Sequence, residues 1–184
     1  VLAFDRKSGK ELWQAEWAGA MSVPFFAKSN GDWIRATPAY DGKSLYVAGM
    51  RDVLVSLDAG SGDENWRVDI AERFKSPLPA FGFVCSPLVT AEDVYVQAGA
   101  GLVKLDKRTG ETRWRSLADE GGMWGSAFSS PFLTEIAGQQ QLLVQTHPRL
   151  VGVNPTDGAA LLINYHRPNA RFDDQPLLQH LSLL

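Results

Sequence analysis

Apolar and polar residues alternate over short stretches of this chain, and turn residues close each stretch. Residues 35–40, 44–48, 53–57 and 64–70 are four such stretches, separated by Asp41-Gly42, by residues 49–52 and by residues 58–62. Period-two runs of this length, bounded by Gly, Asp and Pro, predict β-strands. The order returns at 85–89, 93–97, 102–105 and 112–116, and again at 129–133, 141–145, 150–153 and 160–165. Only the last two strands of an earlier unit, 1–4 and 11–17, precede them.

The turn between the third and fourth strands fixes the register of the repeat. Asp5, Asp58, Asp106 and Asn154 open it, and Gly9, Gly62, Gly110 and Gly158 close it, at spacings of 53, 48 and 48 residues. Trp13, Trp66 and Trp114 each follow their glycine by four residues, and Leu162 stands there in the last copy. A period near fifty residues with turn chemistry in every copy predicts an array of small sheets. The Asp or Asn side chain can accept from backbone N–H groups two or three residues on. The glycine supplies the positive φ of a bulged hairpin. The acids Asp5, Asp58 and Asp106 are therefore assigned to turns, not to catalysis. A four-stranded sheet cannot bury its own faces, so a tryptophan at unit period is expected to cover the next sheet. Asp5, Gly9, Trp13, Asp58, Gly62, Trp66, Asp106, Gly110 and Trp114 form this docking set.

Composition narrows the reading further. The chain has 184 residues, 45% hydrophobic and 21% charged, ordinary proportions for one globular domain. A net charge of −3 argues against a general nucleic-acid binder. No apolar run reaches the roughly 20 residues that span a bilayer. The single cysteine, Cys85, rules out an internal disulfide and a multi-cysteine metal site, and reads as a core residue. His147, His166 and His180 share no ligand spacing. The chain opens inside a repeat unit, so an N-terminal part of the natural protein is expected upstream of Val1.

These motifs resemble the tryptophan-docking repeat of the pyrroloquinoline-quinone (PQQ)-like β-propellers, the quinoprotein alcohol dehydrogenase-like superfamily. That pattern, Ala-x-Asp-x-x-(Thr/Ser)-Gly-x-x-x-Trp, is matched in full from Ala3 to Trp13. It is matched from Ser56 to Trp66 and from Lys104 to Trp114 except at the first position. The Ser/Thr-Pro opening of each first strand also fits. The resemblance implies an all-β propeller of four-stranded antiparallel blades. It assigns a partial blade to 1–17, blades to about 35–70, 83–117 and 127–165, and an atypical tail or truncated further blade to 166–184. Three and a half units cannot close a ring of the family's usual size, so an incomplete ring is expected, completed by missing blades of the same polypeptide or by a partner.

Function is expected in the long connections between units, because loops on a rigid scaffold carry binding. Residues 18–34, 71–82 and 118–127 hold Phe25, Phe26, Trp33, Phe81, Met123 and Trp124, which form the candidate interaction face. The resemblance implies a non-catalytic protein-binding or scaffolding module of the bacterial cell envelope or periplasm, with no cofactor evident. One alternative it carries is a fragment of a PQQ-dependent alcohol or sugar dehydrogenase, with PQQ and calcium. The chain lacks the adjacent cysteine pair of the alcohol-oxidising relatives. A second is a sensor propeller fused to a signalling domain.

Overall fold

The computed structural model describes residues 1–165 apart from 20, 31, 32, 124, 126, 127 and 148. The expected tail, 166–184, lies outside the described residues. The first strands, β1 (Leu2–Phe4) and β2 (Glu11–Gln14), form a two-stranded sheet. Three four-stranded sheets follow, each an antiparallel meander in chain order. The second sheet contains β3 (Ala39–Tyr40), β4 (Ser44–Gly49), β5 (Val53–Asp58) and β6 (Glu64–Asp69). The third contains β7 (Leu88–Val89), β8 (Asp93–Gln97), β9 (Leu102–Asp106) and β10 (Thr112–Ser116). The fourth contains β11 (Phe132–Ile136), β12 (Gln139–Gln145), β13 (Arg149–Val153) and β14 (Ala160–Tyr165).

The sheets stack face to face, and period two decides which neighbour each side chain meets. Val47, Val53, Val55 and Leu57 face the first sheet and pack with Trp13 and Trp17. Tyr46, Ala48, Leu54, Trp66 and Val68 face the other way and meet Val94, Val96, Val103 and Leu105 of the third sheet. Tyr95 and Leu102 then meet Leu142, Val144, Val151 and Val153 of the fourth. Both faces of the central strands are buried, so β4 and β5 read as nearly unbroken apolar runs.

The first strand of each four-stranded unit starts later than its sequence suggests. β3, β7 and β11 begin immediately after Pro38, Pro87 and Pro131. A proline has no N–H to give a ladder, so pairing starts one residue later. In the fourth unit this moves the strand from the expected 129–133 to Phe132–Ile136.

Two short helices also depart from expectation. β6 stops at Asp69, whose carboxylate accepts from Glu72 N at 2.8 Å and caps α1 (Ile70–Phe74), as an N-cap aspartate does. A 3₁₀ turn occupies Phe25–Asn30. β2 ends at Gln14 rather than at 17. Trp17 leaves the strand and lies on Gly49, where a Cβ would come within 3.0 Å of its indole nitrogen.

Candidate interaction face

The scaffold beneath the loops is built by one contact, made three times. Trp13 Nε1 donates to Ala59 O at 3.1 Å, Trp66 Nε1 to Lys107 O at 2.9 Å, and Trp114 Nε1 to Pro155 O at 3.3 Å. Each acceptor lies in the repeated turn of the next sheet. The glycine of that turn is the seat of the ring. A Cβ on Gly62 would stand 2.6 Å from Trp13, on Gly110 2.8 Å from Trp66, and on Gly158 3.0 Å from Trp114. The same glycines have φ of 81°, 72° and 77°, so one residue meets a backbone and a packing demand together.

The turns are held from within. Asp5 Oδ1 accepts from Ser8 N at 2.7 Å, Asp58 Oδ1 from Gly60 N at 2.8 Å, and Asp106 Oδ1 from Arg108 N and Thr109 N at 2.8 and 2.9 Å. The Ser8 hydroxyl and amide hold the Asp5 carboxyl below the usual range. The Ser61 and Thr109 amides do the same for Asp58 and Asp106. The fourth unit keeps the arrangement with Asn154, whose side chain accepts from Thr156 N at 2.9 Å. Lys104, standing where the pattern has alanine, donates to Pro155 O at 3.0 Å and pairs with Asp93 at 3.0 Å.

A second inter-sheet ladder runs through the Ser/Thr-Pro steps. Thr37 N donates to Ser86 Oγ and Ser86 N to Ser130 Oγ, each at 2.9 Å. The residue before each proline thus links to its counterpart one sheet on. Cys85 is fully buried beside this ladder. Its Sγ accepts from Gln97 N at 3.2 Å, and burial pushes its thiol up to about 12.

The aromatic residues of the connections divide into two groups. Val23 and Ala27 turn inward onto Met50, with Met21 and Phe81 against them. Phe74 lies under the Arg115 guanidinium, 4.7 Å from its ring centroid, and packs on the core. Outside, Phe25, Phe26, Phe81 and Phe128 form a continuous strip, with successive ring centroids 5.5, 6.0 and 5.5 Å apart. The strip draws on all three connections. Phe25 is 83% exposed, Phe26 57% and Phe128 61%, while the half-buried Phe81 joins them to the loops beneath.

Trp33 is 63% exposed and stands off the strip. It lines a cleft of about 230 Å³ with Trp17, Ile34, Met50 and Glu16. Met123 is exposed, and Trp124 lies outside the described residues. Phe128 was missed by the sequence reading because the expected connection, 118–127, stopped one residue short of it. The signal was present: an aromatic directly ahead of Ser129-Ser130-Pro131.

Among the described residues no three His, Cys, Asp or Glu side chains gather. Among the same residues no helix is long and apolar enough to cross a membrane.

Four-stranded meanders stacked face to face, with a ring of each seated on the turn of the next, define a β-propeller of tryptophan-docked blades. The family model described as outer membrane protein assembly factor BamB matches residues 1–167, and the chain belongs to that PQQ-like repeat family. Over 116 residues it is 36% identical to the serine/threonine-protein kinase AfsK of Streptomyces griseus, a match covering 62% of this chain and 13% of the kinase. It is 25% identical over 125 residues to BamB of Yersinia pestis, covering 66% of this chain and 30% of that protein. The fold resembles quinohemoprotein alcohol dehydrogenase ADHIIG of Pseudomonas putida, with a TM-score of 0.67 and 16% identity over 91% of this chain and 32% of that one. The chain therefore spans less than a third of the length of each of these proteins.

Proposed function

We propose that this chain is the recognition part of a larger protein: a non-catalytic propeller segment that binds a protein partner through its loop face and reports to a signalling domain on the same polypeptide. The observation that carries the reading is the strip of Phe25, Phe26 and Phe128, exposed, joined through the half-buried Phe81 and contributed by three separate connections. Folded proteins seldom leave three adjoining rings such as Phe25, Phe26 and Phe128 uncovered without an interaction to cover them. The likeness to a protein named as a serine/threonine kinase supports the signalling half. The test is autophosphorylation of the full-length polypeptide with labelled ATP. The expected result is phosphate incorporation that changes several-fold when Phe25 and Phe128 are both changed to Ser. Absence of incorporation removes the signalling half, and indifference to the substitutions removes the loop face as its input.

Membership of a family described by an outer-membrane assembly factor favours a second reading, a scaffold of the cell envelope. Fractionation separates the two. An envelope scaffold sediments with the outer membrane or appears in the periplasm, and its strip is protected from exchange only in the presence of its assembly partner. The dehydrogenase alternative draws support from likeness of fold alone, and fold does not carry function.

A further inference from the structure

Asp52 ends the turn between β4 and β5 with φ of 58° and is 2% exposed. Its Oδ2 crosses to the next sheet and accepts from Gly99 N at 2.7 Å, in the equivalent turn between β8 and β9. Its Oδ1 is buried with no hydrogen-bond partner. The side chain lines a cavity of about 10 Å³ together with Pro77, Pro79, Ala100, Gly121 and Gly125, room for about one water molecule. Two of the three connections of the loop face thus close over a single carboxyl group. The turn that carries it is also tied to both ends of the first of these connections. Ile70 N donates to Asp52 O at 2.9 Å, and Phe83 N donates to Met50 O at 3.3 Å.

The charged and titratable groups around Asp52 do not neutralise it. Asp69 on β6 adds repulsion, and its own carboxylate is committed to Glu72 N. Cys85, ahead of β7, is a buried thiol pushed up to about 12. Arg115 on β10 directs Nη2 at the carbonyls of Gly99 and Ala100, at 2.6 and 3.0 Å. Asp119, in the connection after β10, turns its Oδ1 onto Gly121 N at 2.7 Å. A carboxylate buried with one oxygen unmet favours its neutral form.

We propose that Asp52 is a proton-operated clasp between the second and third blades. Neutral, it holds the two turns together with Pro77, Pro79, Gly121 and Gly125 closed over it; ionised, it draws water into the cavity and loosens both connections of the loop face. The clasp stands on its own geometry, whichever partner the loop face binds.

Burial pushes Asp52 up from 3.8 to about 6, against the opposing Gly99 N–H. A group whose pKa is raised on folding contributes stability that is full below its unfolded value and lost as pH rises through its folded one. The window is therefore about pH 4 to 6, and two units correspond to roughly a 100-fold change in the folded-to-unfolded ratio.

Asp52→Asn keeps the shape and an acceptor for Gly99 N but cannot titrate. Urea unfolding of the full chain at pH 4.5 and 7.5 should show wild type losing stability relative to Asp52→Asn by about 10- to 100-fold in the equilibrium constant. Amide exchange, corrected for its intrinsic pH dependence, should accelerate in wild type at Gly99, Gly121 and Gly122 as pH rises through about 6, and not in the variant. Parallel pH profiles for the two proteins overturn the clasp. Should Asp52→Asn not fold, carboxyl ¹³C titration of wild type decides. A midpoint near 4, or Gly99 exchange that ignores the Asp52 midpoint, overturns the proposal; a midpoint near 6 shared by both supports it.

Discussion

The tryptophans between blades, carried on the last strand of their units, and the phenylalanines of the loop face, carried on the connections, are both aromatic sets, yet their fates are opposite. Trp66 is 8% exposed, its nitrogen bonded to Lys107 O and its ring seated on Gly110. Phe25 is 83% exposed and touches chiefly another phenylalanine. The tryptophans recur at unit period and meet a glycine that also recurs, so each ring has a seat prepared one blade away. The phenylalanines fall at irregular places in connections of unequal length, and the scaffold offers them none. Both sets are large apolar rings; an indole N–H and registration with a partner on the next sheet separate the buried set from the exposed one.

The comparison is tested most severely at the centre of a junction. Trp66→Ala should lower stability by about 4 kcal/mol, in the range for emptying a buried aromatic site, measured by urea unfolding of the full chain. Gly110→Ala comes next, at about 3 kcal/mol, because a left-handed φ and an overlap with the Trp66 ring add. If it costs less than about 1 kcal/mol, the seat is looser than 2.8 Å implies. Ser86→Ala removes the acceptor for Thr37 N and should cost about 1 kcal/mol. Phe25→Ser should move stability by less than about 0.5 kcal/mol, as for an exposed position, while weakening partner binding about tenfold or more. A Phe25 variant as unstable as Trp66→Ala would erase the distinction between the two sets.

The docking set could be read in the sequence because it is periodic. Asp58, Gly62 and Trp66 recur as Asp106, Gly110 and Trp114, and a repeat exposes its own logic by comparison with itself. The Ser/Thr-Pro steps were equally visible, but as strand starts. Their hydroxyl-to-amide ladder across blades was not, since nothing local says which residue a serine will meet some 45 positions away. The candidate interaction face was half legible. Phe25, Phe26 and Phe81 were picked out by residue type and loop position, whereas Phe128 joined them only through the folded path of the third connection. Asp52 looked like one more turn acid. It differs from Asp58 in that no neighbouring amide within its own turn satisfies it, and its partner lies on another blade.

By itself, then, the sequence determined the unit: four strands, a turn closed by Asp and Gly, and a tryptophan to dock on the next copy. Each of these is a local or periodic demand, settled within one repeat by backbone geometry and apolar alternation. The tertiary structure alone decided which side chains share a surface. Phe26 meets Phe81, and Asp52 meets Gly99, because sheets stacked face to face bring their connecting loops to one side. That closeness comes from the stacking of whole blades: each pair lies about one repeat apart, its members in the loops of neighbouring units.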